Sequence, residues 1–204
     1  MLIKLYEENP DQRRIDQAVE TLRNGGVIIY PTDTVYSIGC DIMNQKAVEQ
    51  VARLKGIKVE KSHFSFVSYD LSELSDYTRP IPNNIFKLMR RNLPGPFTFI
   101  LNANNNVPRY FKGKKKTVGI RVPDNNIART LVKELGNPIF ATSLHSSDKI
   151  EAFLTDPELI HEEFKDQVDL VIDGGFGDNR VSTIIDCTAD EPVITRQGKG
   201  ELLY

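Results

Sequence analysis

The run Val27–Asp41, Val-Ile-Ile-Tyr-Pro-Thr-Asp-Thr-Val-Tyr-Ser-Ile-Gly-Cys-Asp, constrains the fold of this chain more than any other stretch. Two apolar, β-branched runs, Val27 to Tyr30 and Val35 to Cys40, are parted by Pro31-Thr-Asp-Thr34. The first run opens just after Gly25-Gly26 and predicts a strand buried on both faces. Pro31 has no N–H for a ladder, so that strand must stop there. Thr32, Asp33 and Thr34 then stand at the mouth of two buried strands. Pro-Thr-Asp is also ordinary turn chemistry. In an open α/β sheet, polar groups at strand ends are where ligands usually bind.

The rest of the chain alternates helical and extended patterns around this centre. Leu2 to Tyr6 reads as an edge strand. Asn9-Pro10-Asp11-Gln12 predicts a helix start with Asn9 as cap, and Ile15, Val19 and Leu22 then share one face before Gly25. Asn44 should cap a helix with Ala47, Val48, Val51, Ala52 and Leu54 inward. Phe64 to Val67 reads as a strand, Asp70 to Tyr77 as a short helix and Pro82 to Arg91 as another. Pro94-Gly95-Pro96 is a corner opening the strand Phe97 to Leu101, and Thr117 to Val122 is the next strand. Pro123-Asp124 should cap a helix to Leu135, and Ile139 to Thr142 follows as a strand. Thr155-Asp-Pro-Glu158 reads as a capping box for a helix through Phe164. Val168 to Ile172, Thr183 to Cys187 and Val193 to Arg196 are the last strands. Interleaved in this way, the elements predict a layered structure, α/β (α+β in strict terms), around a sizeable mixed sheet, one domain over 1–204.

Bulk properties exclude little. The net charge of −2 and pI of about 6.0 announce neither a nucleic-acid nor a membrane binder, so local clustering must carry any such case. Cys40 and Cys187 fall in apolar runs without Cys-x-x-Cys spacing, which predicts buried free thiols in a reducing compartment. The N-terminus lacks the apolar core of a signal peptide, and no window reaches the apolar length of a membrane span. The expectation is a cytoplasmic protein.

No Walker loop, nucleophile elbow, His-Glu-x-x-His or zinc spacing occurs, so no resident metal is predicted. His63, His145 and His161 are isolated in sequence, and Gly174-Gly175-Phe176-Gly177 reads as a turn more readily than a phosphate loop. One theme does repeat: a strand or helix ends and a hydroxyl or cation follows. Thr32 and Thr34, Lys55 and Lys58, Arg121, Thr142 and Ser143, Ser182 and Arg196 all fit it. Converging on one hollow, such groups would suit a polyanion such as a nucleoside triphosphate. Taken singly, each cation reads as a solvated surface group. Lys112, Lys114, Lys115 and Lys116, with Arg90, Arg91 and Arg109, would suit an RNA backbone, or would simply protect a strand edge.

Taken in order, Tyr30-Pro-Thr-Asp-Thr-Val-Tyr36, Leu54-Lys-Gly56, Pro94-Gly-Pro-Phe-Thr98, Gly119-Ile-Arg-Val-Pro123, Ala141-Thr-Ser143, Ser182-Thr-Ile-Ile-Asp186 and Ile194-Thr-Arg196 resemble the YrdC/TsaC family of threonylcarbamoyl-adenylate synthases. Phe64-Ser-Phe-Val67, Asp70-Leu-Ser-Glu-Leu-Ser75 and Thr142-Ser-Leu144 are most similar to its YciO branch. The resemblance implies a twisted mixed sheet flanked by helices around a basic concave surface. It also implies a nucleotidyl transfer in which L-threonine, bicarbonate and ATP give threonylcarbamoyl-AMP and pyrophosphate, for tRNA modification. Mg²⁺ would enter with ATP as substrate, and no tightly bound cofactor is implied. Thr32 and Arg121 would hold the amino acid; Lys55, Ser143, Ser182 and Arg196 would hold the nucleotide and its phosphates.

Two positions depart from the synthase pattern. Lys-x-Arg becomes Lys55-Gly56-Ile57, with Lys58 one residue along, and Ser-x-Asn becomes Ser143-Leu144-His145. A lysine point charge does not reproduce a guanidinium fork, and a neutral imidazole offers one donor where an amide offers two. Losing one positioned phosphate contact costs roughly 2–4 kcal/mol at a transition state, about 10²–10³ in rate. The sequence therefore supports two readings: a synthase of lowered rate, or a tRNA-, double-stranded-RNA- or nucleotide-binding protein of the same fold without that chemistry. Threonine-dependent pyrophosphate release marks the first. RNA binding weakened by salt and by Lys114→Glu/Lys115→Glu marks the second.

Overall fold

In chain order the elements are β1 (Leu2–Lys4), α1 (Gln12–Arg23), β2 (Ile28–Tyr30), β3 (Ser37–Asp41), α2 (Gln45–Leu54), β4 (Ser65–Val67), α3 (Leu74–Tyr77), α4 (Asn83–Asn92), β5 (Phe97–Asn102), β6 (Thr117–Arg121), α5 (Asn126–Leu135), β7 (Ile139–Ser143), α6 (Pro157–Phe164), β8 (Leu170–Asp173), β9 (Thr183–Asp186) and β10 (Val193–Arg196). The computed structural model describes residues 1–56, 59, 65–111, 116–144 and 152–204. All the strands join one mixed sheet in the order β1-β8-β2-β3-β7-β4-β6-β5-β9-β10. β2 and β3 pair antiparallel across the Pro31–Thr34 link, with Ile28 opposite Gly39 and Tyr30 opposite Ser37. β2 ends at Tyr30, as Pro31 requires.

The alternation of side chains along each strand divides the core in two. On one face Ile29, Ile38, Cys40, Phe66, Phe99, Ile120, Phe140 and Ile185 pack with Val48 and Val51 of α2, Ile85 and Met89 of α4 and Ile160 of α6. On the other, Ile28, Tyr30, Val67, Ile139 and Leu170 lie beneath Ile15, Val19 and Leu22 of α1 and Ile127, Leu131 and Val132 of α5. Each such side chain contributes about 1.5–3 kcal/mol when fully buried. Neither β6, β5, β9 nor β10 sends a residue into this second cluster. Among the described residues, helices therefore cover only half of that face. Beyond their edge Ser, Thr, Gly and Arg join Ile100 and Ile184 among the outward residues.

Three helix starts differ from the sequence reading. The cap of α1 is Asp11, whose carboxylate accepts from Arg14 N–H at 3.1 Å, not Asn9. A carboxylate beside the positive end of a helix is the better acceptor, and it leaves Pro10 outside the helix. The cap of α5 is Asn125, bonded to Ala128 N–H at 3.0 Å, one residue beyond Pro123-Asp124. α6 is capped by Asp156 rather than Thr155, because Pro157 takes the first helical position where its missing N–H is harmless. The helix read over Asp70–Tyr77 is formed only at Leu74–Tyr77. Asp70 instead holds a turn, accepting from Ser72 N–H at 2.8 Å.

Candidate active site

The uncovered half-face forms a cleft of about 210 Å³. Its floor follows from register. Ser65 lies between its register partners Ala141 and Gly119, so small side chains of β7, β4 and β6 line up side by side. On β5 and β9 the same alternation turns Phe97, Phe99 and Ile185 into the core and leaves Thr98, Ile100 and Ile184 on the cleft side. Val35, Ile100, Val181 and Ile184 supply an apolar portion, while Thr34, Ser37, Thr98, Ser143, Ser182, Arg121 and Arg196 supply polar groups. Among the described lining residues there is no carboxylate. A bed of this kind suits a ligand with one flat apolar part and one anionic part.

One wall is built around Arg121, the last residue of β6 and buried. Its Nη2 donates to Asp33 Oδ1 and to Thr34 Oγ1, each at 3.0 Å. The Asp33 carboxylate also accepts from Asp124 N–H at 3.1 Å. Thr32 Oγ1 donates to Val35 O at 2.9 Å and accepts from Thr34 N–H at 3.1 Å. The turn chemistry of Pro-Thr-Asp and the proposed ligand chemistry therefore coexist: the tripeptide is a turn, and the turn aims an arginine. Arg121 Nε and Ser37 Oγ are buried with no protein partner among the described residues. Such groups cost about 1–3 kcal/mol each when left unmade, and both belong to residues that line the cleft.

The opposite wall comes from the last two strands. Arg196 Nη2 donates to Ser182 O at 2.9 Å and approaches Ser182 Oγ at 3.3 Å, and Ser182 Oγ lies 2.9 Å from Thr98 Oγ1. Burial and then the charge of Arg121 hold the Arg196 guanidinium below its usual basicity. The two arginines are close enough to repel, and an anion between them would relieve both.

The remaining expected site residues divide. Ser143 lines the cleft beside Ser37, its register partner. Lys55 caps the C-terminal end of α2 and donates from Nζ to Leu144 O at 3.1 Å, next to Ser143. Partial burial pushes its ammonium down to about 8. Thr32 does not line the cleft; it borders a neighbouring hollow with Asp33, Asn125, Phe176 and Lys199. Lys58, His145, Lys112, Lys114 and Lys115 lie outside the described residues, and Lys116 is exposed beside β6. The Gly174–Gly177 segment is a turn on which Tyr36 sits, its hydroxyl accepting from Gly174 N–H and donating to Gly175 O. Cys40 and Cys187 are buried free thiols. Among the described residues no helix is long and apolar enough to cross a membrane.

Sequence reasoning passed over Ser37, Thr98 and Lys199. The alternation within Phe97-Thr-Phe-Ile100 could have placed Thr98 opposite the aromatic face. Nothing local distinguishes Lys199 from a solvated lysine.

Comparison with known proteins gives one consistent picture. The Sua5/YciO/YrdC family model, described as telomere recombination, matches residues 20–198. The protein YciO of Escherichia coli K12 is 43% identical over 199 residues, 97% of this chain and 95% of that protein. The crystal structure of Escherichia coli YciO superposes with a TM-score of 0.91, covering 98% of this chain and 97% of that one. A Bacillus subtilis protein named threonylcarbamoyl-AMP synthase is 34% identical over 195 residues, 94% of this chain and 55% of that protein. The crystal structure of P. abyssi Sua5 complexed with L-threonine is 30% identical with a TM-score of 0.87, covering 97% of this chain and 57% of that one.

Proposed function

Because the chain belongs to the Sua5/YciO/YrdC family, we propose that its cleft takes ATP, L-threonine and bicarbonate and forms threonylcarbamoyl-AMP with release of pyrophosphate. The single observation that carries this reading is the pair of arginines lining one cleft, near enough for the charge of one to act on the other, with no carboxylate among the described lining residues. Support also comes from a relative named for that reaction and from one whose structure holds L-threonine.

In this reading Arg121, oriented by Asp33 and Thr34, receives the threonine carboxylate, with Thr32 acting through the turn it stabilises. Arg196 and Ser182, with Lys55 and Ser143 at the other end, offset phosphate charge. The small-residue floor accommodates the flat purine. The threonine amine and bicarbonate form a carbamate with loss of water. A carbamate oxygen then attacks the α-phosphorus, and the bond to the β,γ-pyrophosphate breaks. Among the described lining residues the ionisable groups are the two arginines, and the protein contributes proximity and preorganised charge. Mg²⁺ arrives on the triphosphate as part of the substrate, and no carboxylate among the described lining residues would hold it as a resident ion.

Calorimetric titration with MgATP, with and without threonine, together with pyrophosphate release, tests the proposal. The expected result is ATP binding strengthened by threonine and pyrophosphate release that depends on both threonine and bicarbonate. Release indifferent to threonine would remove the proposal.

A further inference from the structure

Lys199 joins the two walls of the cleft, although it follows the last strand in a segment that looks like an ordinary tail. The segment is bolted down before Lys199 leaves it. Gly198 N–H donates to Thr183 Oγ1 at 3.0 Å, Thr183 Oγ1 donates to Gly200 O at 2.7 Å, and Lys199 N–H donates to Val181 O at 2.8 Å. A Cβ on Gly198 would lie 2.3 Å from Val181 O, so the strap rests directly on the backbone that leads into β9. From this fixed base the side chain crosses to the β2–β3 turn. Its Nζ donates to Asp33 O at 2.6 Å and pairs with Asp178 Oδ2 at 2.9 Å. Asp178 in turn donates its N–H to Thr34 O at 3.3 Å.

We infer that Lys199 is a positioning residue: it clamps the Pro31–Thr34 turn to the strand end carrying Arg196, and thereby fixes Arg121 for the substrate carboxylate. The physical ground is that Asp33 is held at separate atoms by separate parts of the fold. Its carboxylate meets Arg121 and Asp124, while its carbonyl meets Lys199. Without the ammonium, the carbonyl and the Asp178 carboxylate lose a charge-assisted partner, and the turn is free to rotate the carboxylate that orients Arg121. The identity of the substrate rests on the proposed function; the clamp itself does not.

The test uses the full chain with Lys199→Met, Lys199→Arg and Asp178→Asn. In the ligand-free protein, amide hydrogen exchange at residues 32–35 is expected to quicken in Lys199→Met and Asp178→Asn, with α5 and β7 unchanged. Lys199→Arg, which keeps a cation of similar reach, should restore most of the protection. In the pyrophosphate assay, Lys199→Met is expected to raise the KM for threonine roughly tenfold, the scale of one charge-assisted hydrogen bond, while kcat and the KM for ATP stay within about threefold. Unchanged exchange at the turn overturns the inference, as does faster exchange spread over the whole chain. Local loosening with an unchanged threonine KM also overturns it, because the turn would then not position Arg121. A wild-type protein without threonine-dependent turnover removes the proposed function, and the exchange data then decide the clamp alone.

Discussion

Two cations set the expectations at the residue scale. Arg121 spends one nitrogen on Asp33 and Thr34 and keeps a buried Nε with no protein partner among the described residues. Arg121→Lys would keep the charge but lose the planar fork, and should lower kcat/KM for threonine by about 10²–10³. Steady-state pyrophosphate release measures it. Lys55 makes the pH prediction. Its pKa is depressed by burial from 10.5 to about 8, so its charge is lost as pH rises through about 8. If Lys55 offsets phosphate charge, ATP affinity should fall between pH 7 and 9, and Lys55→Arg should flatten that fall in a titration series. For folding the sign is opposite. The folded state resists protonation that the unfolded state accepts, so this residue's penalty is full below about 8 and is relieved as pH rises toward 10.5.

Among the elements, the antiparallel pair β2–β3 carries the cleft wall and is packed without slack. A Cβ on Gly39 would meet Phe140 O at 2.6 Å and the Tyr30 ring at 3.2 Å. Gly39→Ala should cost about 1–3 kcal/mol, read as a lowered denaturant midpoint with unchanged slope. This pair was also the most legible part of the sequence, because two apolar runs around Pro-Thr-Asp leave few alternatives. Strand and helix identities followed from periods of two and 3.6, and the hydroxyls and cations at strand ends marked Ser143, Ser182 and Arg196 as cleft residues. Cap positions did not follow, since Asn9 or Asp11, and Thr155 or Asp156, satisfy the same local chemistry. The gathering of Thr98 and Ser37 in one cleft, and the contact of Lys199 with the β2–β3 turn, were hidden as well. Both depend on which strands become neighbours, and local pattern carries no record of pairing partners far away in sequence.

Across the whole molecule, a net charge of −2 coexists with a cleft whose described lining holds two arginines and no carboxylate. The attraction for an anion is therefore local, and binding of MgATP should raise the melting temperature by mass action. At a hundredfold excess over Kd the gain is about 2.7 kcal/mol, and thermal unfolding with and without MgATP checks it. The strand order has a further consequence, for biosynthesis. β1 and β2 both align with β8, so Leu2 neighbours Val171 and Ile28 neighbours Leu170. A nascent chain emerging from the ribosome can pair β2 with β3 early, but β1 and the other edge of β2 wait until translation has passed residue 173. Ribosome-arrested fragments ending before β8 should consequently be digested readily by protease, whereas those extending past the final strand should resist it.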